Sequence, residues 1–141
     1  MTIESDLYAL MPSDTDAPDW VVSTPGTYIG QWVTDLDGMT KLALQVRFMY
    51  GSGGTSILAY VQSSLDQGNT AYDVASLIFG TTSRNTVLAI SQTTSAVIVP
   101  VDAAGEAEGV VAAIFGDRLR LKIVVTGTFS GTTLSARALP S

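Results

Sequence analysis

Between Leu42 and Tyr50 the chain alternates: Leu42, Leu44, Val46, Phe48 and Tyr50 are apolar, with Ala43, Gln45, Arg47 and Met49 between them. A period of two sends successive side chains to opposite faces, so this run predicts a half-buried β-strand with one core face and one mixed face. Gly51-Ser52-Gly53-Gly54 follows as a loop, because glycine supplies the positive φ of tight turns. Ile57, Ala59 and Val61 predict the next strand, and Asp66-Gln67-Gly68-Asn69 a turn. Ala71–Phe79 predicts another strand, with Tyr72, Val74, Ser76 and Ile78 on one face. Thr86–Ile90, Ala96–Val101 and Val110–Phe115 read as three more, parted by polar Ser91–Ser95 and by the acidic, alanine-rich Asp102–Gly109. Arg118–Thr126 predicts a long strand with Leu119, Leu121, Ile123 and Val125 facing in, and Gly127–Gly131 turns the chain into a last one, Thr132–Leu139. Upstream, Val21-Val22 and Tyr28–Val33 are short β-rich runs broken by Pro25 and Gly26.

About eight or nine short strands separated by turn signals, with no long helical period, predict an all-β domain. The expected architecture is a two-sheet antiparallel β-sandwich, jelly-roll-like, over residues 19–141. Residues 1–18 read as an extended N-terminal arm with one helical turn at Leu7–Met11, since Pro12–Pro18 is polar and turn-rich. The arm is expected to be removable without loss of the β-fold.

Composition narrows the function. Charged residues make up 14% of the 141, against about 25% in ordinary domains. Either many strands are covered on both faces, or part of the surface is buried against partners, as in obligate assemblies. The net charge of −6 argues against nucleic acid, which needs clustered Lys and Arg. The absence of cysteine and histidine excludes disulfides, thiolate metal sites, cysteine nucleophiles and Ser-His-Asp triads. The first residues carry Glu4 and Asp6 without a basic start, unlike a signal peptide. No apolar stretch approaches the roughly 20 residues of a membrane helix.

Candidate chemistry is sparse. A glycosidase needs two carboxyl groups across one cleft, yet Asp35, Asp37, Asp66 and Asp117 all stand in turn contexts, where Asp caps its own turn. Asp35-Leu36-Asp37-Gly38 and Asp14-Thr15-Asp16 begin like oxygen-ligand calcium loops, but the twelfth position from Asp35 is Val46, which excludes an EF-hand. No cofactor is implied. Arg118, Arg120 and Lys122 supply three of the seven basic residues and alternate along one strand. They form either a solvated outer face or an ionic patch for the acidic arm of a neighbouring subunit, in which Asp14, Asp16 and Asp19 would take part. The first forty residues hold seven acids and no Lys or Arg, which suits that pairing. Trp20, Tyr28 and Trp32 group near the start, either buried in core or interface or, together with Tyr60, offered as a sugar-stacking platform. The interaction candidates are thus Asp14, Asp16, Asp19, Trp20, Trp32, Arg118, Arg120 and Lys122.

Two stretches carry a resemblance. One is Ala59-Tyr60-Val61-Gln62-Ser63-Ser64-Leu65-Asp66-Gln67-Gly68, followed by Tyr72-Asp73-Val74-Ala75, Phe79 and Thr81-Thr82-Ser83. The other is Gly116-Asp117-Arg118-Leu119-Arg120-Leu121-Lys122 with Thr126–Thr133. Together, over roughly residues 55 to 137, they resemble small β-sandwich structural proteins encoded among the head and neck genes of tailed bacteriophages and prophages. The resemblance carries no catalytic residues. It implies a non-enzymatic virion component assembled in the host bacterial cytoplasm. The role it favours is a capsid decoration (cement) protein that binds the major capsid protein shell as a homo-oligomer, with a trimer favoured. A neck, tail or fibre-attachment component and a carbohydrate-binding β-sandwich module are the alternatives. Neither nucleic acid nor membrane is an expected partner.

Overall fold

The computed structural model describes residues 8–11, 20–93, 95 and 97–141. Two five-stranded antiparallel sheets pack face to face. Sheet A has the order β1 (Tyr8–Met11), β12 (Thr132–Pro140), β4 (Lys41–Met49), β8 (Arg84–Ser91), with β2 (Trp20–Val22) also on β12. Sheet B has the order β3 (Gly26–Ile29), β10 (Leu119–Thr126), β6 (Ser56–Ser63), β7 (Tyr72–Phe79), β9 (Gly109–Val110). A two-stranded ribbon of β5 (Ser52–Gly53) and β11 (Phe129–Ser130) closes one end. This is an all-β sandwich, as the hydrophobic pattern predicts.

The core lies between the sheets. β4 keeps strict alternation, with Leu42, Leu44, Val46 and Phe48 buried and every residue between them exposed. Leu119, Leu121, Ile123 and Val125 of β10 face it from sheet B. Phe48 packs on Phe79 with ring centroids 5.2 Å apart and meets Phe129 edge-on.

Four expectations are corrected. The helical turn expected at Leu7–Met11 is not formed over the described Tyr8–Met11, which is a strand on β12 with Leu10 fully buried. The remaining residues of the expected arm, Asp14 and Asp16 among them, lie outside the described residues, as does Asp19 at the expected start of the sandwich. The expected strand at Ala96–Val101 is not formed over residues 97–101, where the Val101 carbonyl accepts from the Asp73 N–H at 2.8 Å. Pro100 has no N–H to give a ladder there. In Val110–Phe115 only Val110 is in a strand, paired with Ala75 on β7. Finally, Tyr72, Val74, Ser76 and Ile78 do not share a face. Val61 pairs with Ala75 but Gln62 pairs with Asp73, so Val74 is an extra residue in the ladder. That bulge shifts the phase: Tyr72 and Val74 join the core, Ser76 lies on the opposite face, and Ile78 is exposed.

Candidate functional site

The two sheets differ on their outer sides. Sheet B is covered there. Nearly every residue of β7 is buried, and the second half of β6 is buried throughout. The cover is the segment from Val101 to Ala112, held by side chains that reach across it. Gln62 is the hub and is fully buried. Its Nε2 donates to Asp73 Oδ1 at 2.9 Å and to Asp102 Oδ1 at 2.6 Å. Its Oε1 accepts from Arg120 Nε at 2.9 Å. The Ala103 and Ala104 N–H groups donate to Asp73, and the Gly105 N–H donates to the Tyr60 hydroxyl. At the far end Arg84 grips Glu108 through two bonds of 2.6 and 2.7 Å.

The three cations predicted as a patch do lie on this outer side of β10 and its approach, and each is partnered within the chain. Lys122 Nζ sits 2.9 Å from Asp102, and Arg118 Nε sits 2.9 Å from Asp117. The Arg120 guanidinium lies over the Trp32 ring, 4.4 Å from its centroid, a cation–π contact. They are neither a solvated row nor an open patch.

Beneath the cover, burial first, and then the hydrogen bond and charge of Asp73, push the Glu106 carboxyl above its ordinary value. Neither Glu106 oxygen has a donor partner, although the carboxyl faces Asp73. Two close carboxyls are eased when one of them keeps a proton that it can donate to the other, which is the direction of this shift. Asp102 moves the other way. Burial pushes it up, but the hydrogen bonds from Lys122 and Gln62, with the charges of Lys122 and Arg120, bring it below its ordinary value.

The residues of the resembling stretches have structural duties. Ser63 Oγ accepts from the Gly116 N–H and donates to the Arg118 carbonyl, which ties β6 to the start of β10. Asp66 accepts from Ser64 Oγ and from the Thr70 N–H, capping its own turn as its context predicts. A side chain at Gly116 would collide with the Ser64 carbonyl, so only glycine fits that crossing. Asp35 and Gly38 adopt positive φ in a turn closed by the Met39 N–H on the Leu36 carbonyl. Among the described residues no group of three or more acids is gathered as a metal ion needs.

The aromatics are not a platform. Trp20 packs edge-on against Tyr28 with centroids 5.0 Å apart, and both lean on the core. Trp32 stands apart under Arg120, and Tyr60 is buried.

Sheet A leaves its outer face open. Val21, Met49, Val87 and Leu139 are exposed by 62, 50, 73 and 41%. Pairing register puts them on one surface with Ala43, Gln45, Arg47, Asn85, Ala89, Thr133, Ser135 and Arg137. Sequence reasoning missed this surface, though its signal was present: the polar phase of β4 contains Ala43 and Met49, and β8 and β12 add Val87 and Leu139. Compared with known proteins, the chain matches no family model, no curated protein and no solved structure.

Proposed function

We propose that this chain is a non-enzymatic structural subunit that assembles through the open face of sheet A. The observation that carries the reading is that face, where four large apolar side chains stand exposed on one sheet surface. Val87 and Leu139 line one apolar cleft with Ala43, and exposed apolar surface of that kind marks interaction sites. Gln62, Ser63, Asp66, Asp73 and Asp102 are spent on internal hydrogen bonds, which supports an assembly role over a catalytic one. With the resemblance of residues 55 to 137 to phage head and neck proteins, the best-supported role is a capsid decoration (cement) protein. It would bind the outside of the major capsid shell as a homo-oligomer, with a trimer favoured. Many copies on one shell make weak single contacts effective.

Light scattering and co-sedimentation with empty phage capsids test the proposal. The expected result is an oligomer that pellets with shells, and a Val87→Asp variant that stays folded but no longer pellets. A monomer that remains in the supernatant at every shell concentration would overturn it.

A further inference from the structure

The open face of sheet A has a chemistry of its own. The chain carries thirteen acids against seven bases, yet the described residues of this face include no acid. Pairing register gathers Lys41, Arg47 and Arg137 there, three of the seven bases. Arg47 and Arg137 line a cleft of about 230 Å³ with Gln45 and Ser135. An adjoining apolar cleft of about 260 Å³ is lined by Ala43, Val87 and Leu139 together with Gln45 and Arg137. Arg137 therefore stands between a polar hollow and an apolar one. Its Nη1 is shielded from solvent and has no hydrogen-bond partner. A partner's carboxylate would therefore meet the rest of the guanidinium from the cleft that Arg137 lines, and a carboxylate is the group that pairs with a guanidinium best.

We propose that this face docks an extended segment of a partner protein in which carboxylates and apolar side chains take turns at every second position, one carboxylate seating on Arg137 and the apolar side chain two residues on entering the cleft beside Val87 and Leu139. The inference rests on the assembly reading and names the chemistry of its partner. An extended segment suits a sheet surface, because its side chains also repeat with a period of two. The cations of the face orient such a segment and disfavour basic ones.

The probe is a fluorescein-labelled peptide repeating glutamate, serine, valine, serine, which sets glutamate and valine on one side of an extended chain, followed by fluorescence anisotropy with the full chain. Saturable binding is expected, weakened about tenfold or more by Arg137→Ala. Val87→Asp, which adds a like charge at an exposed position, should weaken it without touching the core. Arg118→Ala, which removes a cation from the other sheet, should bind as the parent does. Three outcomes overturn the proposal: no binding, equal binding of the same peptide with glutamine in place of glutamate, or binding that emerges only after Asp14→Asn, Asp16→Asn and Asp19→Asn. The last would mean that the chain's own acids fill the face. Peptide binding by a protein that ignores capsid shells would refute the virion role alone, and shell binding unaffected by Arg137→Ala would refute the docking chemistry alone.

Discussion

At the residue scale, Gln62 is the side chain on which sheet B's cover depends. It contacts Asp73, Asp102 and Arg120 together. Replacing it with leucine keeps the volume and removes both donor and acceptor. Asp102 keeps Lys122 and Asp73 keeps two backbone donors, so the main loss falls on Arg120. Gln62→Leu should cost about 1–3 kcal/mol in urea denaturation, whereas Val87→Ala on the open face should stay within about 0.5 kcal/mol. Equal effects would mean that the network adds nothing. Gln62 was not legible as a hub, because its partners lie 11, 40 and 58 residues away along the chain. Leu121 was legible from local alternation alone and is fully buried. Leu121→Ala should cost about 2–5 kcal/mol, and Leu121→Asp should leave no cooperative unfolding transition, since an unpaired charge would enter the core.

At the element scale, what could be read was set by how much of each strand's environment is local. β4 has one covered and one open face, so its sequence alternates and its faces were assigned correctly. β7 is covered on both sides, so its sequence has little polar phase to follow, and the extra residue at Val74 reverses that phase midway. Strands covered on both faces read as continuous apolar runs for the same reason. β1 is four residues long and follows two acids, so nothing local marks it as a strand. Its pairing with β12 and the burial of Leu10 are tertiary facts. They change what a truncation should do. Removing residues 1–18 strips β1 from sheet A and empties the Leu10 site. The loss should be about 2–5 kcal/mol on the scale of a buried leucine, rather than nothing, as expected of a free arm. Removing residues 1–7 alone should retain β1. Thermal unfolding of the two truncations checks this, and identical melting temperatures would show that β1 contributes no stability.

At the scale of the whole molecule, the acids divide into two sets with opposite effects on stability. Asp66 is held below its ordinary value of 3.8 by the Thr70 N–H, and Asp117 below the same value by Arg118. Asp102 is lowered by Lys122 and Gln62 against its burial, and Glu108 is lowered from 4.5 by Arg84. A lowered carboxyl favours the fold in its ionised form, so this contribution is present above the ordinary values and is lost as pH falls through the lowered ones. Glu106 works in the other direction. Its raised value means that the fold prefers the proton, so its contribution is full below 4.5 and is lost as pH rises through the raised value. Stability should therefore fall at both ends, below the carboxylate range and again on the way to neutrality. Glu106→Gln fixes a neutral form and offers Asp73 an amide donor. Melting temperatures across the pH range should show the acid-side fall unchanged in this variant and the decline toward neutrality flattened, with a gain of a few degrees at neutral pH. A variant that still declined as the parent does would place the loss elsewhere and would mean that Glu106 is ionised in the folded protein. In either case the effect is read on the cover of sheet B. The open face of sheet A has no acid among its described residues, so binding there should be insensitive to this substitution.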